Sequence, residues 1–422
     1  MSAVLRAVDW RDPLRKRGDR FLGDEANVIS ALRSAPDLAG LVRWNLFAGA
    51  VEFGRRCPWR NNLLGERWTD TDDVELTAYL QQQGLDVRGQ AVVAAAVQVA
   101  SHDDEQHPVR QYLDGLRWDG DPRLQLWLPE HLDARGPVDY LAAIGRRFMV
   151  SAVARIFEPG CQADHVLVLE GPQGCGKSRT VQILGQPWTT DSLPDLHSKD
   201  AAVQLAGVWL MELAELAALR RTSDVEAAKA FITRRVDRYR PPYGRLAVDV
   251  PRQCVFIAST NEAQYLRDST GNRRFWPVRV GGVNFEALAA DRDQLWAEAV
   301  HLYRNGEAWH LTGEEILAAQ SEQALRTLVT ELESAVAEYL DRLESQGITE
   351  VSSRQVLTQA LGLDPGRSDF MERAGRLGAQ AYHAMRRCGW HRVGEIGRRG
   401  AGGNHRVIYR KADAARGVTW EK

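Results

Sequence analysis

A chain of 422 residues is too long for a single hydrophobic core, so two or three domains are expected. Its 44% hydrophobic and 26% charged residues exclude a disordered or fibrous protein, and its net charge of −2 confines any nucleic-acid-binding surface to part of the chain. The five cysteines are far apart and form no C-x-x-C pair, which argues against a zinc site or a disulfide framework. Without an apolar run of about 18 residues or a signal-like start, the sequence predicts a soluble, cytoplasmic protein.

Residues 1–150 are predicted to form a mainly helical domain. Apolar residues recur at helical spacing from Asn27 as far as Val42. Further helices are predicted over residues 74–80, 91–100 and 140–157. The tryptophans of this region could stack on nucleic-acid bases, but burial in a core is the commoner use of such side chains and is the expectation here.

The stretch from residue 166 to residue 184 contains the strongest functional motif. Residues 166–169 are typical of a buried strand, residues 179–184 continue as a helix, and Gly171 to Ser178 between them fit G-x-x-x-x-G-K-[ST]. In such a loop, backbone N–H groups surround the phosphates and the following helix points its positive end at them. Lys177 would reach the β- and γ-phosphates, and the Ser178 hydroxyl would ligate Mg²⁺. The predicted nucleotide-binding residues are Gly171, Pro172, Gln173, Gly174, Cys175, Gly176, Lys177, Ser178 and Arg179.

Two carboxylates and one amide follow predicted strands further along the chain. An apolar stretch from Gly207 leads into Glu212 and Glu215, and a strand over 253–258 leads to Asn261. One carboxylate at a strand end can hold Mg²⁺ and a second can polarise the attacking water, while an amide at a neighbouring strand end can contact that water or the γ-phosphate. The alternative is an amphipathic helix on which both glutamates are solvated.

Arg273 and Arg274 lie in a turn before a predicted strand over residues 278–280. Two adjacent arginines in a turn can form a solvated basic surface. They can also supply an arginine finger, which neutralises transition-state charge on the nucleotide of a neighbouring subunit.

A basic segment extends from Lys229 to Arg245 and contains five arginines, one lysine, two tyrosines and one acidic residue. Its two prolines and Gly244 favour a hairpin or a projecting loop. Arginine interleaved with tyrosine suits phosphate contact combined with base stacking, although the same charge could equally serve solubility. The predicted DNA contacts in this segment are Lys229, Arg238, Arg240, Tyr243 and Arg245.

Residues 301–346 are predicted to form a helical linker or lid, with a boundary at Gly347. Beyond it, two helices precede a β-hairpin, which is the order of a winged helix. Ten basic residues and one acid between positions 373 and 411 indicate a polyanionic partner such as duplex DNA, although such modules also contact proteins. The predicted DNA contacts here are Arg386, Arg387, Arg398 and Arg399.

Over residues 27–310 the motifs resemble the virulence-associated E family of phages, prophages and phage-related chromosomal islands. The motifs that carry the resemblance are His107–Arg110, Leu116–Gly120, Glu170–Ser178, Gly207–Leu216, Asp237–Arg245, Thr260–Asn261 and Thr270–Val278. The resemblance implies a P-loop ATPase core like that of superfamily 3 helicases within the AAA+ class, assembled as a ring that is expected to be hexameric. It also implies that Gly171–Ser178 is the Walker A loop, that Glu212 and Glu215 are Walker B candidates, that Asn261 is the sensor, and that Arg273 or Arg274 is the finger.

The expected fold is therefore α/β, with four parts. These are a mainly helical domain over 1–150, the ATPase over 151–300, the lid over 301–346 and a winged-helix-like domain over 347–422. The expected function is an ATP- and Mg²⁺-dependent DNA helicase or translocase in replication of a mobile element, with a separate primase or initiator as a possible partner. The alternatives are an origin-binding initiator with a switch-type ATPase, and a defence or regulatory ATPase that acts on protein.

Overall fold

The computed structural model describes residues 9–192, 199–214, 222–240, 246–266, 271–328, 331–396 and 406–411. The chain forms two compact units, Met1–Arg326 and Thr327–Lys422, and each is described by itself. None of the described helices is both long and apolar enough to cross a membrane.

The first part of the larger unit combines helices with two small sheets. Its elements are β1 (Lys16–Arg17), β2 (Arg20–Gly23), α1 (Glu25–Ser34), β3 (Val42–Asn45), β4 (Ala50–Phe53), α2 (Asp70–Gln82), β5 (Leu85–Val87), α3 (Gln90–Ser101), β6 (Glu105–Gln106), α4 (Pro108–Gly115), α5 (Trp127–Leu132) and α6 (Val138–Phe157). The strands pair in the orders β1-β2-β5 and β4-β3-β6. Trp68 and Trp127 are buried in the core, as predicted.

The six short strands of this region were not predicted. The helical spacing that begins at Asn27 ends at Ser34, because Ala35 precedes Pro36 and takes an extended conformation with ψ of 131°. Val42, the last residue of that pattern, lies in β3. Strands of two to four residues are too short to show an alternating pattern in the sequence.

The second part of the larger unit is built on a parallel sheet. Its elements are β7 (Val166–Glu170), α7 (Lys177–Gly185), β8 (Thr189–Thr190), a 3-10 helix (Lys199–Leu205), β9 (Leu210–Leu213), α8 (Thr222–Thr233), β10 (Val236–Tyr239), β11 (Val248–Pro251), β12 (Val255–Thr260), a 3-10 helix (Asn272–Arg274), β13 (Phe275–Arg279), α9 (Phe285–Arg304) and α10 (Gly313–Leu325). The sheet has the order β13-β7-β12-β9-β8, and its neighbours are all parallel. The fold of this unit is mixed α/β, as predicted.

Both faces of this sheet are covered, which explains why its central strands are apolar except near their carboxyl ends. Alternate side chains of β7 enter different cores. Leu167 and Leu169 pack with helices α6, α7 and α9. Val166 and Val168 pack with Phe231 of α8 on the other face. The helix α6 shares this core and runs from Val138 to Phe157, so the predicted boundary at residue 150 falls inside one helix.

The end of α10 also belongs to the larger unit. Gln323 Nε2 donates to the Phe275 carbonyl oxygen at 2.8 Å, and Arg326 forms a two-point ion pair with Glu170 at 2.8 and 2.9 Å. The division between the units at residues 326 and 327 therefore falls within the predicted 301–346 segment.

The smaller unit packs helices against a three-stranded antiparallel sheet. Its elements are α11 (Glu331–Ser345), β14 (Glu350–Ser352), α12 (Ser353–Gln355) with a π-helical continuation (Val356–Ala360), α13 (Phe370–Arg387), β15 (Trp390–Ile396) and β16 (Arg406–Lys411). The sheet order is β14-β16-β15. Trp390 and Leu340 lie at the centre of its core. The two helices and the hairpin were predicted, whereas β14 was not.

Candidate functional site

The predicted nucleotide-binding loop lies at the carboxyl ends of the strands of the parallel sheet. It directly follows β7, while Glu212 lies near the end of β9 and Thr260 ends β12. These three strands are parallel neighbours, so their carboxyl ends meet at the same edge. In sheets of this kind ligands bind beyond the carboxyl ends of the strands.

Two glycines set the shape of the loop. Gly174 and Gly176 have φ of +83° and +104°, which is the left-handed region that favours glycine. A Cβ atom on Gly176 would also lie 2.6 Å from Phe285 Cζ, so no side chain fits there. The loop therefore enters α7 with its backbone exposed, and the first N–H groups of that helix lack intrahelical partners.

Lys177 curls back over the loop. Its Nζ donates to the carbonyl oxygens of Gly171 and Pro172 at 2.8 Å each, and it lies 3.6 Å from Cys175 Sγ. Phosphate oxygens entering the loop would compete with these carbonyls for the same ammonium group. The next residue but one, Arg179, is exposed, and its guanidinium carbon lies 4.2 Å from the centre of the Phe285 ring.

Glu212 is connected to the loop by hydrogen bonds. Its side chain is 2% exposed, and its Oε1 accepts from Ser178 Oγ at 2.7 Å and from Ser259 Oγ at 3.0 Å. Hydroxyl and carboxylate oxygens are the ligands that Mg²⁺ prefers, so this pair of side chains fits the metal of a nucleotide site. Ser259 was missed by sequence reasoning, although the run Ser-Thr-Asn at a strand end is a usable signal. Among the described residues, no three His, Cys, Asp or Glu side chains form a separate metal site.

The end of β12 is tied to the start of the loop. The Thr260 carbonyl oxygen accepts from Gly171 N–H at 3.1 Å, and Thr260 is buried. Asn261 follows it and is exposed. Asn261 therefore lies at the sheet edge where its predicted role requires it. Glu215, the second predicted carboxylate, lies outside the described residues.

The two arginines of the predicted finger differ in their surroundings. Arg274 is held inside its own chain, since its Nε donates to Thr233 Oγ1 at 3.1 Å and lies 4.0 Å from Asp164. Arg273 is exposed. Both precede β13, whose first residue pairs with Val166 at the amino end of β7. The length of a five-residue strand, about 16 Å, therefore separates them from the loop of the same chain.

The predicted hairpin is present, and its stem pairs β10 with β11. Arg238 is 75% exposed and lies 3.6 Å from Asp249 across the stem. Arg240 is exposed at the end of β10. Tyr243 and Arg245 lie outside the described residues.

Lys229 is predicted to contact DNA, but the structure places it in the interior. Only 6% of the residue is exposed, and its side chain packs closely against the Gly271 backbone. The reason is that this part of the basic segment belongs to α8, and Lys229 faces the interior side of that helix.

The base of the hairpin contains an ion pair that sequence reasoning missed. Arg252 donates to both carboxylate oxygens of Asp237, at 2.8 and 2.5 Å, and both side chains are buried. The basic residues around Asp237 are typical of an exposed segment. The pairing of Asp237 with Arg252 depends on the register of the stem, which the sequence does not show.

In the smaller unit the predicted DNA contacts have partners within the unit. Arg386 Nη1 is hydrogen-bonded to His391 Nδ1 at 2.8 Å, and Arg387 lies 3.2 Å from Glu333. Glutamates also pair with Arg410 and Lys411. Part of the predicted positive charge is therefore neutralised internally. Arg398 and Arg399 lie outside the described residues.

His107, in the first of the motifs noted above, has a structural role. Its Nδ1 accepts from Arg110 N–H at 3.2 Å at the start of α4, and its Nε2 lies 2.6 Å from Gln253 Oε1. Burial lowers the pKa of His107, so the neutral ring with Nε2–H is the stable form. This contact fastens α4 to the segment that leads into β12.

These features define a mixed α/β protein whose glycine-rich loop, buried glutamate and strand-end hydroxyls meet at the carboxyl edge of a parallel sheet. The chain belongs to the family of the virulence-associated protein E-like domain, whose model matches residues 113–327. The resemblance drawn from the motifs is thereby confirmed.

Three solved structures of the NrS-1 C-terminal region are similar to this chain. An apo structure of residues 305–718 has 13% identity and a TM-score of 0.49, and covers 88% of this chain and 96% of that one. An apo structure of the A form has 11% identity and a TM-score of 0.47, with the same coverage. An A-form structure of residues 305–718 has 12% identity, a TM-score of 0.46, and covers 92% and 100%. No curated protein matches the chain.

Proposed function

We propose that this chain is an ATP-dependent DNA helicase or translocase that assists replication of a phage or other mobile element, and that it works as a ring of identical copies with shared ATP sites. The observation that carries the proposal is the hydrogen bond between Ser178 and Glu212 beside Lys177, at the carboxyl edge of a parallel sheet. This arrangement brings a cation, a hydroxyl and a carboxylate together at one glycine-rich loop.

In this proposal each side chain has one task. Lys177 neutralises phosphate charge, and Ser178 with Glu212 holds Mg²⁺, which polarises the transferred phosphoryl group when bound. Because the Glu212 oxygen already faces Ser178, we assign the metal to Glu212 and the activation of water to Glu215. Asn261 orients that water from the end of β12.

The arginine finger is assigned to Arg273. It is exposed, whereas Arg274 is occupied by Thr233 of its own chain. The length of β13 separates Arg273 from the loop of the same chain, so it completes the site of a second copy. A finger of this kind contributes about 10³–10⁵ in turnover.

Two surfaces are proposed to contact DNA. The β10–β11 hairpin, with Arg238 in its stem and Arg240 at the end of β10, grips single-stranded DNA in the ring. The smaller unit has the order helix, strand, helix, helix, strand, strand, which supports a winged helix that binds duplex DNA through α13.

The test is hydrolysis of ATP with and without single-stranded DNA, together with strand displacement on a forked duplex. We expect Mg²⁺-dependent hydrolysis that DNA stimulates, and displacement of the labelled strand. Hydrolysis without displacement would support a switch-type initiator. A purified protein that hydrolyses no ATP with any DNA form would refute the proposal.

A further inference from the structure

The helix α8 is hydrogen-bonded both to the base of the β10–β11 hairpin and to the turn that carries Arg273. Near its end, the Phe231 carbonyl oxygen accepts a hydrogen bond from Arg252 Nη1 at the base of the hairpin. Two residues later, Thr233 Oγ1 accepts from Arg274 Nε at 3.1 Å. The same short stretch of helix therefore contacts an arginine beside the hairpin and an arginine beside Arg273.

The hairpin side of this connection is rigid. The Arg252 guanidinium holds Asp237 of β10 by two hydrogen bonds and lies 4.6 Å from the centre of the Phe231 ring. The side chains of Arg252 and Asp237 are 1% and 5% exposed. Separating a buried ion pair leaves an uncompensated charge, which is costly. The stem and α8 are therefore expected to move as one piece.

The finger side is also packed against α8. Thr233 Oγ1 donates to the Lys229 carbonyl oxygen at 2.7 Å while it accepts from Arg274. The Lys229 side chain packs on Gly271, the residue that begins the turn. Phe275, which ends the turn, shares one buried core with Phe231. The turn that carries Arg273 thus rests on this helix.

One face of the stem, with Tyr239, Val248 and Val250, borders a cleft of about 1070 Å³. Trp44 and Leu46 of the first part of the unit line the same cleft, as does Leu205 of the 3-10 helix. The stem therefore borders open space on this face.

We propose that α8 transmits DNA contact at the hairpin to Arg273, so that DNA places the finger in the neighbouring copy's nucleotide site. This inference rests on the proposed function. Thr233 and Arg274 are positioning residues: they contact neither nucleotide nor DNA, and they hold the turn that presents Arg273. Arg252 and Asp237 connect the hairpin to the same helix.

The test is the ratio of DNA-stimulated to basal ATP turnover in Thr233→Val. Valine has the shape of threonine but cannot accept a hydrogen bond from Arg274. We expect the ratio to fall by about tenfold, which corresponds to the loss of one hydrogen bond to a charged group. Basal turnover and the KM for ATP should stay unchanged, because the residue lies outside the nucleotide loop.

Two further variants separate the proposed role from a general structural one. Thr233→Ser keeps the hydroxyl and should keep the wild-type ratio. Thr77→Val is the matched control, because Thr77 makes the same helical bond to the carbonyl four residues earlier, at 2.7 Å, but receives no arginine. Its ratio should equal that of the wild type.

A double-mutant cycle between Thr233→Val and Arg274→Lys should show that the two effects on the ratio are not additive. A wild-type ratio in Thr233→Val, or an equal loss in Thr77→Val, would overturn the inference and leave the proposed function intact. A wild-type protein that hydrolyses no ATP would instead refute the proposed function.

Discussion

Glu212 is the buried carboxylate of the proposed nucleotide site. Its carboxylate has two hydroxyl donors, from Ser178 in the loop and from Ser259 in the neighbouring strand. A buried carboxylate needs such partners, because an uncompensated charge in the interior is expensive. The same two hydroxyls fix the orientation in which an oxygen of Glu212 faces the loop.

His165 is a second buried group, and its burial affects the pH dependence of folding. Its ring stacks on Trp276 with centroids 3.8 Å apart, and its Nε2 lies 2.9 Å from Ser151 Oγ. Because Ser151 Oγ donates to the Phe148 carbonyl oxygen, His165 Nε2–H is the donor in this pair. Burial lowers the pKa of His165 to about 3, and the nearby Arg155 adds repulsion.

We predict that His165 makes folding pH-dependent in acid. The unfolded chain takes up a proton near the ordinary histidine pKa, whereas the folded chain does not until about pH 3. The contribution of His165 to the free energy of unfolding is therefore at its full value above about pH 6.5. It falls by about 1.4 kcal/mol per pH unit below that value. Urea unfolding of wild type and His165→Phe between pH 7 and 4 measures this. The wild type should lose more stability than the variant, and equal pH slopes would contradict the prediction.

At the scale of elements, the β10–β11 hairpin contains two ion pairs of opposite character. The Asp237–Arg252 pair at its base is buried, whereas the Arg238–Asp249 pair on its outer face is 75% and 61% exposed. Exposed pairs contribute little because water and salt screen them, whereas breaking a buried pair leaves a charge in the interior.

We predict that Arg252→Ala lowers the free energy of unfolding by about 3–5 kcal/mol. Arg238→Ala, the matched control on the same hairpin, should change it by less than about 1 kcal/mol. Chemical denaturation of both variants measures the difference. Similar losses in the two variants would show that the buried pair does not hold the hairpin.

The helix α13 presents a different kind of surface. Arg376, Gln380 and His383 are exposed along one side of it, while Ala381 and Met385 are buried on the other. Because Arg387 is paired with Glu333, these three side chains are better placed than Arg387 for the proposed contact with DNA.

We predict that Arg376→Ala weakens binding of duplex DNA and lowers the salt dependence of binding by about one unit of slope. Arg342→Ala, on the exposed side of α11, is the control and should leave both quantities unchanged. Fluorescence anisotropy over a salt series measures them. Equal effects of the two variants would indicate that α13 has no special role.

At the scale of the whole molecule, the parallel sheet places Lys177 beyond the carboxyl ends of its strands and Arg273 beyond their amino ends. Within one chain they cannot act on the same phosphate, because the length of β13 lies between them. In the proposed mechanism two copies are therefore needed for one complete site, which is the physical argument for a ring.

We predict that Lys177→Ala and Arg273→Ala are each inactive, and that mixing the two variants restores part of the ATP turnover. In the mixture, an Arg273→Ala copy has an intact loop and receives Arg273 from its Lys177→Ala neighbour. Mixing Lys177→Ala with Glu212→Gln is the control, since both changes damage the same half of the site. Recovery in both mixtures, or in neither, would contradict a shared site.

The sequence alone determined the features that depend on neighbouring residues. The glycine loop, its flanking strand and helix, the hairpin after α8 and the two helices with a hairpin near the end all follow from local spacing and turn residues. The family also follows from these motifs, because they are short and occur in a definite order.

Only the tertiary structure decided which side chains meet. Ser178 reaches Glu212 because β7 and β9 flank β12, and Arg274 reaches Thr233 because the turn before β13 packs against the end of α8. The same packing buries Lys229 and leaves Arg273 exposed. Strand order and register bring distant residues together, and a local pattern of residue types contains no information about either.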